Sequence, residues 1–95
     1  MTLEFKTDKE IPINRIGNWF IISSGNNING TIYLTDDNGN HDLIPLIKFD
    51  RVEINISEMI KSKRIDFNPL YIEFHSDNPN VKEITIEVPS INPNN

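Results

Sequence analysis

Cysteine, alanine and glutamine are all absent from this 95-residue chain. Without cysteine there is no disulfide and no thiolate nucleophile or metal ligand, and the redox compartment is left open. Without alanine, the strongest helix former, the chain has little with which to build helices. Basic charge is scarce: Lys and Arg number 9 against 14 Asp and Glu, a formal net charge of −5. Lys61, Lys63 and Arg64 are the only basic cluster, short enough to be a solvated turn. Nucleic acids and anionic membranes call for a basic stripe, so neither is an expected partner. No apolar run approaches the ~18 residues of a membrane span. The opening Met1, Thr2, Leu3, Glu4, Phe5 and Lys6 alternates as a strand does, so no signal peptide is expected and the chain should be made in a cytoplasm.

What is abundant points one way. The chain holds seventeen isoleucines and fourteen asparagines. Isoleucine is stiff at χ1 and suits a pleated surface, whereas asparagine bonds back to its local backbone and tolerates left-handed turns. Strand patterns appear at Leu3 and Phe5, at Ile11 and Ile13 beside Pro12, and at 19–22. They continue at 28–35, at 43–49, at Val52, Ile54 and Ile56, at Ile65 and Phe67, at Leu70, Ile72 and Phe74, and at Ile84, Ile86 and Val88. Asn38-Gly39 between two such runs predicts a hairpin with a type I′ turn, in which both central residues take positive φ. Pro45 cannot donate to a ladder and predicts a bulge or an edge strand. The one helical candidate is a short turn near 57–62, with Ser57 or Asn55 as its N-cap.

Seven or eight short strands with turn signals every 8–12 residues predict an all-β fold, a single antiparallel β-sandwich of immunoglobulin-like or jelly-roll-like type. One domain is expected over 1–88, followed by a flexible polar tail over 89–95. By surface scaling such a chain buries about 65% of its unfolded surface, enough for two packed layers over a thin core.

No cluster specifies a chemistry. Asp36, Asn38, Asn40 and Asp42 alternate as in a calcium loop, but the positions that require glycine and a bidentate acid hold His41 and Ile47. His75-Ser76-Asp77 has three residue types of a catalytic triad, yet neighbours on a strand point to opposite faces. No catalytic residue, metal ligand or cofactor is therefore assigned, and the chain is not expected to be an enzyme.

Two features stand above this background. The segments 19–22 and 43–49 are apolar on both faces, where an antiparallel sandwich should be polar outside. Either a loop or the short helical turn of the chain itself covers them, or another protein does; the second makes Trp19, Phe20, Ile22, Leu43, Ile44 and Leu46 interface candidates, with Ile44 taken as outward-facing. Trp19, Tyr33 and Tyr71 are alternative candidates for stacking on sugar rings.

The isoleucine and asparagine bias, the start directly on a strand at 2–6, the run Gly25-Asn26-Asn27-Ile28-Asn29-Gly30 and a closing hairpin over 71–88 together have a family resemblance. Across its full length the chain resembles the small all-β virion proteins of tailed bacteriophages with AT-rich genomes. That group comprises head decoration or auxiliary proteins and baseplate or fibre-attachment modules. The resemblance implies a non-enzymatic structural role, self-association, docking on a capsid or tail lattice, and a place in the virion after synthesis in a host cytoplasm. It carries over no functional residues. The alternative reading is a carbohydrate-binding β-sandwich module.

Overall fold

A computed structural model describes residues 1–89, the side chain of Asn26 excepted. The tail expected over 89–95 lies, beyond Pro89, outside the described residues. The elements run β1 (Thr2–Lys6), β2 (Ile11–Pro12), α1 (Ile13–Ile16), β3 (Trp19–Thr35), β4 (His41–Asn55), α2 (Ile56–Lys63), β5 (Tyr71–Ser76) and β6 (Glu83–Glu87). All strand pairings are antiparallel. The fold is all-β, as the composition predicts. Among the described residues, strands β1–β6 form one hydrogen-bonded sheet, curled into a half-barrel.

The register explains the curl. β4 pairs with β3 from Thr35↔His41 to Trp19↔Asn55. Along the opposite edge of β3, β5 takes the stretch from Gly30 to Thr35 and β6 the stretch from Ile21 to Ser23. β5 and β6 therefore follow one another along one edge and are not partners. This corrects the closing hairpin expected over 71–88. β3 is long enough to offer each a separate stretch, and the backbone N–H of Asp77 is held by the Asn29 carbonyl at 2.9 Å between them. β2 and β1 repeat the arrangement one row out, on β5 and β6 respectively.

Every row breaks at the same level. β3 carries an irregularity between Ser23 and Ile28, where β4 advances only from Arg51 to Phe49. Positive φ recurs there, at Asp8 (63°), Gly25 (80°) and Lys48 (47°). Side chains fasten the break: Asn29 Oδ1 accepts the Lys48 N–H at 2.8 Å, and Ser24 Oγ donates to the Phe49 carbonyl at 3.3 Å. Extra residues in a ladder bend the strand and raise its twist. Four rows bent together fold the sheet over its own inward side chains. Phe20, Ile22, Ile84 and Ile86 from one half share a core with Ile11, Ile32, Leu34, Ile72 and Phe74 from the other.

The helices follow from local chemistry. Pro12 precedes α1, and Gly17 ends it at φ 85°. Asn55 caps α2, its side chain accepting the Glu58 N–H at 3.1 Å. Asn18 Oδ1 accepts both the N–H (2.9 Å) and the hydroxyl (2.7 Å) of Ser57. The helix ends at Arg64 in the left-handed region, so the basic cluster closes a helix.

The hairpin predicted at Asn38-Gly39 forms, but its turn is wider than type I′. Only Gly39 has positive φ, 85°, and residues 36–40 wrap the Asp36 carboxylate. Oδ1 accepts the N–H groups of Asn38 (2.9 Å) and Asn40 (3.0 Å), and Oδ2 accepts the Asn40 side-chain amide (2.8 Å). A side chain that competes for backbone donors displaces the tight turn. Gly39→Val should lower stability by about 1–3 kcal/mol through strain at positive φ. A urea melt checks this, and Gly39→Asn should recover most of the loss, because asparagine tolerates that conformation.

The Asn40 amide, then the backbone N–H groups, hold the Asp36 pKa below its ordinary 3.8. A depressed pKa stabilises the fold above the unfolded value and ceases to do so as pH falls through the folded one. The stability gap between the native chain and Asp36→Asn, measured by urea titration, should therefore be constant above pH 3.8 and narrow below it.

Candidate interaction surface

Among the described residues, β4 has β3 on one side and no strand on the other, which makes it the edge that Pro45 predicts. Its pairing fixes which side chains face out. Ile44 lies opposite Ile32 and Leu46 opposite Gly30, on the core side. Leu43, opposite Tyr33, and Pro45, opposite Thr31, take the outer side. Ile47 follows at the bulge and is 74% exposed, and Leu43 is 42% exposed. Three successive outward positions thus carry apolar residues where a solvated sheet carries polar ones.

The free edge here is poor in donors. The Leu43 N–H is bonded at 2.8 Å to the carboxylate of Asp42 beside it, and so is turned away from the β3 ladder. Two residues on, the same direction belongs to the nitrogen of Pro45, which has no hydrogen. Such an edge resists strand addition, so a partner would meet this surface through side chains.

Several sequence-derived interface candidates are core residues. Phe20 and Ile22 have no exposed surface and Ile44 only 7%. Leu46 is half-buried against the same core. These four are corrected from the outward set, because their strand parity points them inward. Of the six, Trp19 and Leu43 reach solvent. Ile47 shares the outward parity of Leu43 and Pro45, but a segment apolar on both faces does not reveal which parity points out.

The three aromatic candidates do not form one platform. Trp19 opens β3 opposite Asn55, whereas Tyr33 lies near the other end of the strand, where Tyr71 pairs with Thr35. Tyr33 stacks on His75 with ring centroids 4.0 Å apart. The nearby Asp37 carboxylate, as a hydrogen-bond acceptor and a negative charge, pushes the Tyr71 phenol above its ordinary 10.0.

His75 is the centre of a cluster that sequence reasoning passed over. Its Nδ1 lies 2.8 Å from Asp8 Oδ1 and its Nε2 lies 3.0 Å from Glu73 Oε1. A neutral imidazole donates through one nitrogen only, so both contacts are hydrogen bonds when the ring is an imidazolium and the carboxyls are ionised. Glu73 was findable, two residues away on the same strand face. Asp8 was not, since it arrives on the loop after β1, where its own N–H bonds the Phe74 carbonyl at 2.9 Å. Ser76 turns away to exchange hydrogen bonds with the Asn78 backbone, so the run 75–77 assembles no nucleophile and base.

A concavity of about 540 Å³ lies where β3 begins, β4 ends and α2 starts. Trp19, Glu53, Asn55, Glu58, Met59 and Ser62 line it. Trp19 is 41% exposed. Among the described residues, no helix is long and apolar enough to cross a membrane. No protein-family model, no curated protein and no solved structure matches this chain.

Proposed function

We propose that the chain is a non-enzymatic structural module that docks on a larger protein assembly through the outer side of β4. The observation that carries this reading is the row Leu43, Pro45 and Ile47, exposed on an edge strand whose inner residues already supply the core. A chain this small has little apolar surface to spare, and exposed apolar patches commonly mark interaction sites. A specific contact centred there buries about 800 Å² per partner. The assembly proposed is a phage particle, with the chain as a capsid decoration or tail-associated component. The strand-and-turn composition supports that choice, and the donor-poor edge suits a protein that must sit on a lattice without adding strands to itself.

Two measurements test this. Mass spectrometry of purified virions from a phage encoding the chain should find it in stoichiometric amounts, and its confinement to the lysate supernatant would refute the virion role. Hydrogen exchange of the chain, free and on the particle or as a self-associated species, should show protection gained over residues 43–47. A light-scattering mass of one chain at high concentration, with no protection gained on particles, would overturn the docking role itself.

A further inference from the structure

We propose that the Trp19 cleft is a binding site for an arginine side chain presented by a partner protein. It lies at the opposite end of the β3–β4 ladder from Leu43 and stands or falls independently of that surface. Its chemistry is set by what is spent and what is left. The first amides of α2, which could attract an anion, are consumed: Ile56 N–H bonds the Asn18 carbonyl, Ser57 N–H bonds Asn18 Oδ1 and Glu58 N–H bonds Asn55 Oδ1. The Asn55 side chain is occupied twice, since its Oδ1 also accepts from Asn18 Nδ2 at 3.3 Å.

An indole face and two carboxylates remain, beside the uncharged Ser62 hydroxyl and the Asn55 amide nitrogen. Among the described residues no lysine or arginine lines the cleft, and no cation or second ring lies against Trp19. Glu53 lies opposite Ile21, two positions along the outer side from Asn55, which faces Trp19. Glu58 reaches the cleft from the first turn of α2. An aromatic wall with acids from two elements is complementary to a cation. A planar guanidinium satisfies both parts at once: it stacks on the indole and directs its forked N–H donors to carboxylates. The half-buried Met59 offers a polarisable apolar surface for the aliphatic stem. A compact ammonium cannot stack and fork together. The net charge of −5 further favours a basic partner.

Trp19 is the only tryptophan, so its emission and its indole N–H resonance report on this cleft alone. The full chain is titrated with the blocked peptide acetyl-Gly-Arg-Gly-amide and, in parallel, with the same peptide carrying citrulline or lysine. The arginine peptide should shift the Trp19 signals saturably and bind more weakly as salt is raised. Glu53→Gln with Glu58→Gln should weaken that binding by about tenfold or more, since ion pairing is the interaction removed. Ile47→Lys should leave it unchanged, separating this site from the β4 surface. No saturable response, an equal response to citrulline, or an unaltered affinity in the double glutamine variant would overturn the site. Lysine binding as tightly as arginine would overturn the guanidinium assignment.

Discussion

Gly30→Val is expected to be among the most destabilising single substitutions in the chain, by about 3 kcal/mol or more, at the upper end of what overpacking a core costs. Gly30 is buried in β3 between Leu46 on β4 and Ser76 on β5. Its φ is ordinary, and space is what demands glycine. A Cβ there would sit 2.6 Å from Phe74 Cζ, 2.8 Å from Phe74 Cε1 and 2.9 Å from the His75 carbonyl oxygen. The Phe74 ring has nowhere to retreat, being 1% exposed and packed edge-on against Phe49 at 5.5 Å. The carbonyl belongs to the ladder and is no more free to move. Even Gly30→Ala should lower the urea midpoint clearly, by about 1–3 kcal/mol of stability. Phe74→Leu in the Gly30→Ala background should cost less than the two changes added separately, because the smaller side chain relieves the clash. An unchanged midpoint for Gly30→Ala would show that β3 and β5 do not approach this closely.

The same crossing shows what could be read from the residues and what could not. The alternations at Leu3 and Phe5, at Ile72 and Phe74 and at Ile84 and Ile86 became β1, β5 and β6, because period two is a local property. The capping of α2 by Asn55 was legible for the same reason. That 19–22 and 28–35 are one strand was not legible. The join passes through Gly25 and Asn27, residue types that favour turns, and pairing with β4 on either side, at Ser23↔Arg51 and Ile28↔Phe49, is what makes one strand of it. The seeming two-faced strand at 43–49 has a related origin. Ile44 and Leu46 face inward on even positions, the bulge at Lys48 shifts the count, and Phe49 faces inward on an odd one. What looked like a strand needing cover on both sides is partly a strand that changes phase. Leu43, Pro45 and Ile47 are what remains outside once the phase is known. The Asp8–His75–Glu73 cluster depends on two rows breaking at one level, a long-range fact that periodicity does not carry.

That phase sets up the second large effect, a contrast between residues three apart. Ile47→Asp should leave the fold intact and reduce association about a hundredfold, whereas Ile44→Asp should unfold the chain. Ile47 is 74% exposed, so placing a charge there in the free chain costs little, as surface changes usually do. In an interface the change forfeits the burial of an isoleucine, about 1.5–3 kcal/mol, and leaves a carboxylate to be desolvated. Ile44 is 7% exposed and faces Ile32 across the ladder inside the core. A carboxylate there loses its hydration with no partner, and with the isoleucine's packing lost as well the cost reaches about 4 kcal/mol or more, a large share of a small domain's stability. Circular dichroism and urea melts read the fold, and light scattering or retention on the assembly reads association. A folded Ile44→Asp chain would mean that β4 is out of the phase described. A folded Ile47→Asp chain that still associates at native affinity would place the docking surface elsewhere on the molecule.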